Sequence, residues 1–274
     1  MNRGILYAVT CSILCAGFVG WRIHVLANHA APQFEIVVDP SLSHPTGCES
    51  VLGLSQQALH AGGVSQDSTL TVLVLGDPAT ANEPWQLGRY SIPVTRKVLE
   101  GKTATLRRQE ELLSDIRHKC GAIRRTSISP IFLGVKQAVA DLRAHGCKET
   151  SHCQLFVDSD LEENVETSVK ERLNRARSTK LVLPTPLDNQ GIEVSFCGLA
   201  VTAGRMVNPA GREIQRALPR DPSREDRLRQ VWRSLFTQPD LVRFEPYCPT
   251  LGDPRPQLTS GGYKKAVEPR SLSE

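Results

Sequence analysis

Short apolar runs rich in β-branched residues alternate along this chain with longer stretches whose apolar residues recur every three or four positions. The runs at 34–38, 68–75, 154–159, 191–199 and 241–244 predict strands. Residues 89–94 predict an edge strand, because Pro93 has no N–H to give to a ladder. Helical spacing predicts helices at 46–60 (Val51, Leu54, Ala58), 103–119 (Leu112, Leu113, Ile116) and 130–144 (Ile131, Val135, Ala138, Leu142). Two more follow, one through Val165, Val169, Leu173 and Ala176, the other through Leu228, Val231, Trp232 and Leu235. Ser129 is placed to cap the helix at 130–144, with Pro130 in its first turn and Gly146 just past its end. Residues 181–190, with two prolines, read as an irregular insertion. Strands alternating with helices argue for an α/β fold: one doubly wound, mostly parallel, Rossmann-like sheet of about six strands.

The two ends differ from this pattern. Residues 5–21 are an uncharged apolar run between Arg3 and Arg22, just long enough to span a bilayer. No Lys or Arg follows until Arg89, which favours placing the remainder outside the cytoplasm. The expectation is a single-pass anchor through residues 4–22 in a bacterial inner membrane, with a removed signal peptide as the alternative. Beyond Cys248 the chain is rich in Pro, Gly and Ser and has no apolar period, which predicts a disordered tail. The domain plan is therefore an anchor at 1–26, one folded domain at 33–249 and a tail at 250–274.

Composition adds less than its distribution. The 274 residues carry a net charge of +4, too little to make a case for nucleic acid. Residues 23–88 hold six acids and no Lys or Arg, whereas 89–125 hold ten basic and four acidic residues. A basic flank of this kind attracts an acidic partner. Six of the eight cysteines lie beyond the apolar segment, an even number that suits disulfides in an exported domain. Cys147 and Cys153 flank a short polar loop and are the expected pair; a zinc site with His145 and His152 ranks below it.

The candidate chemistry lies where strands end. The first strand runs into Asp39-Pro40-Ser41-Leu42-Ser43, and ligands of open α/β sheets bind just beyond the carboxyl ends of strands. A carboxylate and two hydroxyls in alternation suit a hard cation such as Mg²⁺. Thr126 precedes a helix by a few residues, and Asp160 directly follows the strand LFVDS.

In these three pieces, taken in order, the chain resembles a von Willebrand factor A-type domain. That family holds Mg²⁺ or Mn²⁺ at an adhesion site built from a DxSxS motif, a loop threonine and a later aspartate, and a partner's acidic side chain completes the coordination. The resemblance implies metal ligands at Asp39, Ser41, Ser43, Thr126 and Asp160, and a binding module in the periplasm that captures a protein partner rather than an enzyme. Leu42 and Leu161 stand where the family often has Gly, and Asp158 competes for the role given to Asp160. Two other readings stay open. Asp158-Ser159-Asp160 also looks like the metal-binding DxD of an A-type-fold glycosyltransferase. A domain of this fold could also serve, without metal, as a structural part of an envelope complex. A G-x-S-x-G nucleophile elbow is absent, so His44 beside Ser41 and Asp39 does not by itself make a hydrolase.

Overall fold

A computed structural model describes residues 31–42, 44, 47–62, 68–76, 83–92, 102–148, 153–163, 165–167, 169–170, 185–199, 201–207, 213–219 and 222–251. The expected anchor, the tail beyond 251, Ser43 and most of the helix expected at 165–176 lie outside the described residues. Among those described, no helix is long and apolar enough to cross a membrane.

β1 (Gln33–Val38) is the centre of the molecule, and all six of its residues are buried. A strand covered on both faces needs apolar side chains pointing both ways, and QFEIVV supplies them with the exception of Gln33 and Glu35. α1 (Cys48–Gly62) then leads to β2 (Thr69–Val74), which lies parallel to β1. β3 (Trp85–Ser91) turns back antiparallel to β2 and forms one edge. The expected edge strand at 89–94 thus begins earlier, and Pro93 falls beyond its end. The misleading signal was Ile92, which is buried after the strand and donates its N–H to Ser68 O at 2.8 Å.

α2 (Lys102–Cys120) and α3 (Ile131–Ala144) carry the chain to β4 (Cys153–Asp158), which pairs with β1 on the side opposite β2. β5 (Ile192–Cys197) adds beside β4. Next comes an antiparallel hairpin of β6 (Val201–Val207) and β7 (Glu213–Pro219), paired only with each other. Sequence patterning placed no element there, because this stretch has no continuous apolar run. α4 (Pro222–Arg233) and β8 (Val242–Glu245) close the sheet in the order β3-β2-β1-β4-β5-β8. Six strands, five of them parallel, match the expected architecture.

Strand alternation sends Phe34, Ile36 and Val38 into one core with α1 and α2, and Val37 into a second core with α3 and α4. Both faces are covered, which is what doubly wound means here. The second core is stacked aromatically: Phe196 lies 5.2 Å from Phe244 and 5.5 Å from Trp232, ring centre to ring centre. Three disulfides tie the periphery. Cys147–Cys153 closes the loop before β4, as expected, Cys48–Cys120 joins α1 to α2, and Cys197–Cys248 pins the C-terminal segment to β5.

Candidate metal centre

β1 is the strand at which the chain reverses its direction of growth across the sheet, first outward to β2 and β3, then back past itself to β4. A crevice opens at the carboxyl ends of the strands at such a switch point. Asp39 follows β1 and Asp160 follows β4, so the two acids are delivered to the same crevice from adjacent strands. Both are fully buried. Asp39 is anchored at each oxygen: Oδ1 accepts the Ser41 N–H (3.1 Å), and Oδ2 accepts the hydroxyls of Ser129 (2.7 Å) and Ser159 (2.8 Å). Burial, and then the charge of Asp160, push the Asp39 carboxyl above its usual range, while His44 and the two hydroxyls pull it back.

The Thr126 loop is stitched to the Asp39 loop through backbone. Thr126 N–H donates to Pro40 O (3.1 Å), and Leu42 N–H donates to Thr126 O (2.9 Å). The Thr126 hydroxyl is engaged in its own turn, donating to Ile128 O and accepting from Ile128 N–H. Gly76, with φ +69°, presses on this turn; a Cβ there would lie 2.9 Å from Thr126 Oγ1. Of the five motif residues, Asp39 and Asp160 interact electrostatically, Ser41 and Thr126 meet the Asp39 loop through their backbones, and Ser43 lies outside the described residues.

Ser129 is a correction. No side chain caps α3 at Pro130, and the Ser129 hydroxyl spends itself on Asp39 instead. Glu163 takes over at that helix start: its buried carboxylate accepts Phe132 N–H at 2.7 Å and the N–H groups of Val165 and Glu166. Sequence grouped Ser159 with Asp160 as an oxygen-bearing strand end, and its hydroxyl instead holds Asp39; Glu163 was not read as functional, since an acid in a loop carries no distinctive spacing.

Asp158 does not share the environment of Asp160. It faces α1, where Oδ1 meets His44 Nε2 at 2.7 Å and Oδ2 accepts the Ser50 hydroxyl at 2.6 Å. The chain bends at Ser159, so strand alternation does not carry through to Asp160. Burial by itself lowers the His44 pKa, but Asp158, with help from Asp39 and Asp160, raises it above the usual histidine value. The imidazole packs against Gly198 (φ +94°), where a Cβ would stand 2.4 Å from its Cε1. Asp158 also lies close to Cys197 and Cys248, but those two sulfurs are joined in a disulfide and offer no thiolate to a metal.

Leu161 occupies the place of a common Gly and keeps that residue's backbone, with φ +60°. Its side chain is fully buried, and its carbonyl accepts the Trp232 indole N–H at 3.0 Å. The departure from the motif is therefore absorbed by packing.

Sheet order, two-faced helix layers and the loops at the switch point fit the doubly wound α/β fold that the resemblance to von Willebrand factor A-type domains implies. The chain matches no family model and no curated protein. Among solved structures it is similar to an aerotolerance-related membrane protein from Bacteroides fragilis NCTC 9343 (13% identity, TM-score 0.38, covering 78% of this chain and 90% of that one). It is similar also to BatB from Bacteroides thetaiotaomicron (11%, TM-score 0.41, 79% and 90%). A third is the manganese-loaded Plasmodium vivax TRAP protein (12%, TM-score 0.33, 62% and 58%).

Proposed function

We propose that this chain is a membrane-tethered binding module that grips a protein partner through a divalent cation, Mg²⁺ or Mn²⁺, at the carboxyl edge of its sheet. The observation that carries this reading is the convergence of Asp39 and Asp160, both fully buried, at the switch point. Burial first, and then repulsion from Asp160, raises the Asp39 pKa, and a hard cation relieves both. Asp39, Ser41 and Asp160 fit such an ion, with Ser43 and Thr126 completing the set. When bound, the ion supplies positive charge to which a partner's carboxylate attaches. Ser129 and Ser159 fix Asp39 in place and favour its ionised form against burial, while His44 and Ser50 engage Asp158.

The surroundings suit an acidic partner with apolar neighbours. Leu42, Leu133 and Val165 are each more than 40% exposed and come from the three loops or helix starts around the crevice. Exposed Arg124 and Arg125 lie beside Thr126, and Arg125 donates to His44 O at 3.1 Å. Three disulfides support a domain outside the cytoplasm, held at a bacterial inner membrane by residues 4–22 and facing the periplasm. The module does no covalent chemistry: Asp158 is committed to His44 and Ser50, so DSD does not offer a glycosyltransferase its paired carboxylates.

One observation favours a second reading, a metal-free part of an envelope complex. Asp158, Asp39 and Asp160 raise the His44 pKa against the effect of burial, which favours a positive charge of the protein's own among these acids. Thermal unfolding of the full chain with and without Mg²⁺ or Mn²⁺ separates the two. The binding-module reading expects a rise in Tm that Asp39→Asn abolishes, and chelator-sensitive capture of a partner from envelope extract. A Tm indifferent to both ions would leave the structural reading.

A further inference from the structure

At the opposite end of β1 from the metal centre, a partly open polar pocket of about 30 Å³ lies between α3 and the β1–β3 edge. Its lining includes Gln33 and Glu35 of β1, Thr71 of β2, Arg89 of β3, and Asp141 and His145 at the end of α3. Glu35 is only 2% exposed, and its Oε1 has no hydrogen-bond partner. A buried carboxyl oxygen without a hydrogen-bond partner costs stability unless something occupies the space in front of it.

We propose that this cavity is a binding site for a primary ammonium group, borne by a small amine or by the lysine of a protein partner. Size comes first. A space of this volume takes one or two water-sized groups, and an ammonium is water-sized. Sign comes next. Burial is the main cause of the shift of the Glu35 pKa to about 9; the Asp141 charge adds to it and outweighs the opposing Arg89. The local field therefore favours a cation. The neighbouring β4 adds no charge, since Glu35 registers there with Leu155.

Acceptors are also at hand. The Glu35 and Asp141 carboxylates and the Thr71 hydroxyl provide the three that an ammonium wants. Gln33 is already held, its Oε1 taking the Thr69 hydroxyl and its Nε2 donating to Ala31 O. A chelated divalent metal fits less well. Among the described residues, no three acid or imidazole ligand atoms of this cavity come within 4.8 Å of one another, and exposed Arg89 stands at the edge. On binding, Glu35 releases its proton to solvent and pairs as a carboxylate with the incoming ammonium.

The test uses the full chain near pH 7.5, with methylammonium as the probe and tetramethylammonium, which has no N–H, at equal ionic strength. Methylammonium should raise Tm by a few degrees at about ten times its Kd. It should also remove the infrared carbonyl band of one protonated carboxyl. Glu35→Gln should abolish both effects while leaving any Mg²⁺ response intact, which separates this proposal from the metal reading. N-acetyl-lysine amide is the second probe: its activity assigns a protein lysine, and activity of methylammonium alone assigns a free amine. Equal Tm in the two ammonium salts, or a methylammonium effect that survives Glu35→Gln, would overturn the site.

Discussion

Ser129 Oγ lies 2.7 Å from Asp39 Oδ2, a hydrogen bond that spans ninety positions of sequence and joins the approach to α3 with the end of β1. Together with Ser159 it surrounds one carboxylate oxygen with two hydroxyl donors in a fully buried setting. Removing a partner from a buried charged acceptor costs about 1–3 kcal/mol. Ser129→Ala and Ser159→Ala should each lose about that much in urea unfolding. Each should also weaken Mg²⁺ or Mn²⁺ stabilisation, because Asp39 then holds its proton more tightly. A variant with normal ion response would show that the hydroxyls serve the fold alone.

Glu35 gives the protein a distinctive pH dependence. Burial pushes its folded pKa up to about 9 from an ordinary value of 4.5, so the native state holds a proton that the unfolded chain gives up between these two values. Its contribution is whole below pH 4.5 and declines as pH rises toward 9, by at most about 1.4 kcal/mol per pH unit. Glu35→Gln should therefore gain stability relative to the wild type between pH 5 and pH 8. Parallel urea curves at the two pH values check this, and an unchanged difference counts against a protonated Glu35.

Leu161 sets burial against backbone strain. Truncation to Ala gives up packing worth about 2–5 kcal/mol and keeps the left-handed backbone. Truncation to Gly gives up the same packing but relieves about 1–2 kcal/mol of steric cost. The Gly variant should be at least as stable as the Ala variant, the reverse of the usual order, by thermal or chemical unfolding.

The disulfides differ in the loop each closes. Cys48–Cys120 spans 72 residues and Cys147–Cys153 spans 6. Chain-entropy reasoning assigns the long closure about 4 kcal/mol and the short one about 2 kcal/mol. Replacing each pair by Ser should lower stability in that ratio, measured by urea unfolding without reductant.

Sequence patterning found the sheet because β1, β2, β4 and β5 are short, apolar-rich and largely buried, a signal that survives without tertiary information. It placed Asp39 and Asp160 at strand ends for the same reason. What it missed depends on where loops go. Ser129 satisfies every local rule for a helix cap, and only the arrival of Asp39 beside it redirects its hydroxyl. His44 and Asp158 are 114 residues apart, so nothing local announces that they meet. The β6–β7 hairpin was hidden for another reason: pairing with itself outside the main sheet, it needs no uninterrupted apolar run.

β1 has one neighbour that follows it closely, β2, and another, β4, that begins at Cys153. A growing chain can form the first pairing early, yet the second acid of the crevice arrives only when residue 160 has emerged. Until then the Asp39 loop has no opposing wall, and long-range parallel pairing is slow to close. A nascent or truncated chain is accordingly blind to whatever the finished protein binds, so recognition begins only with completion of the sheet.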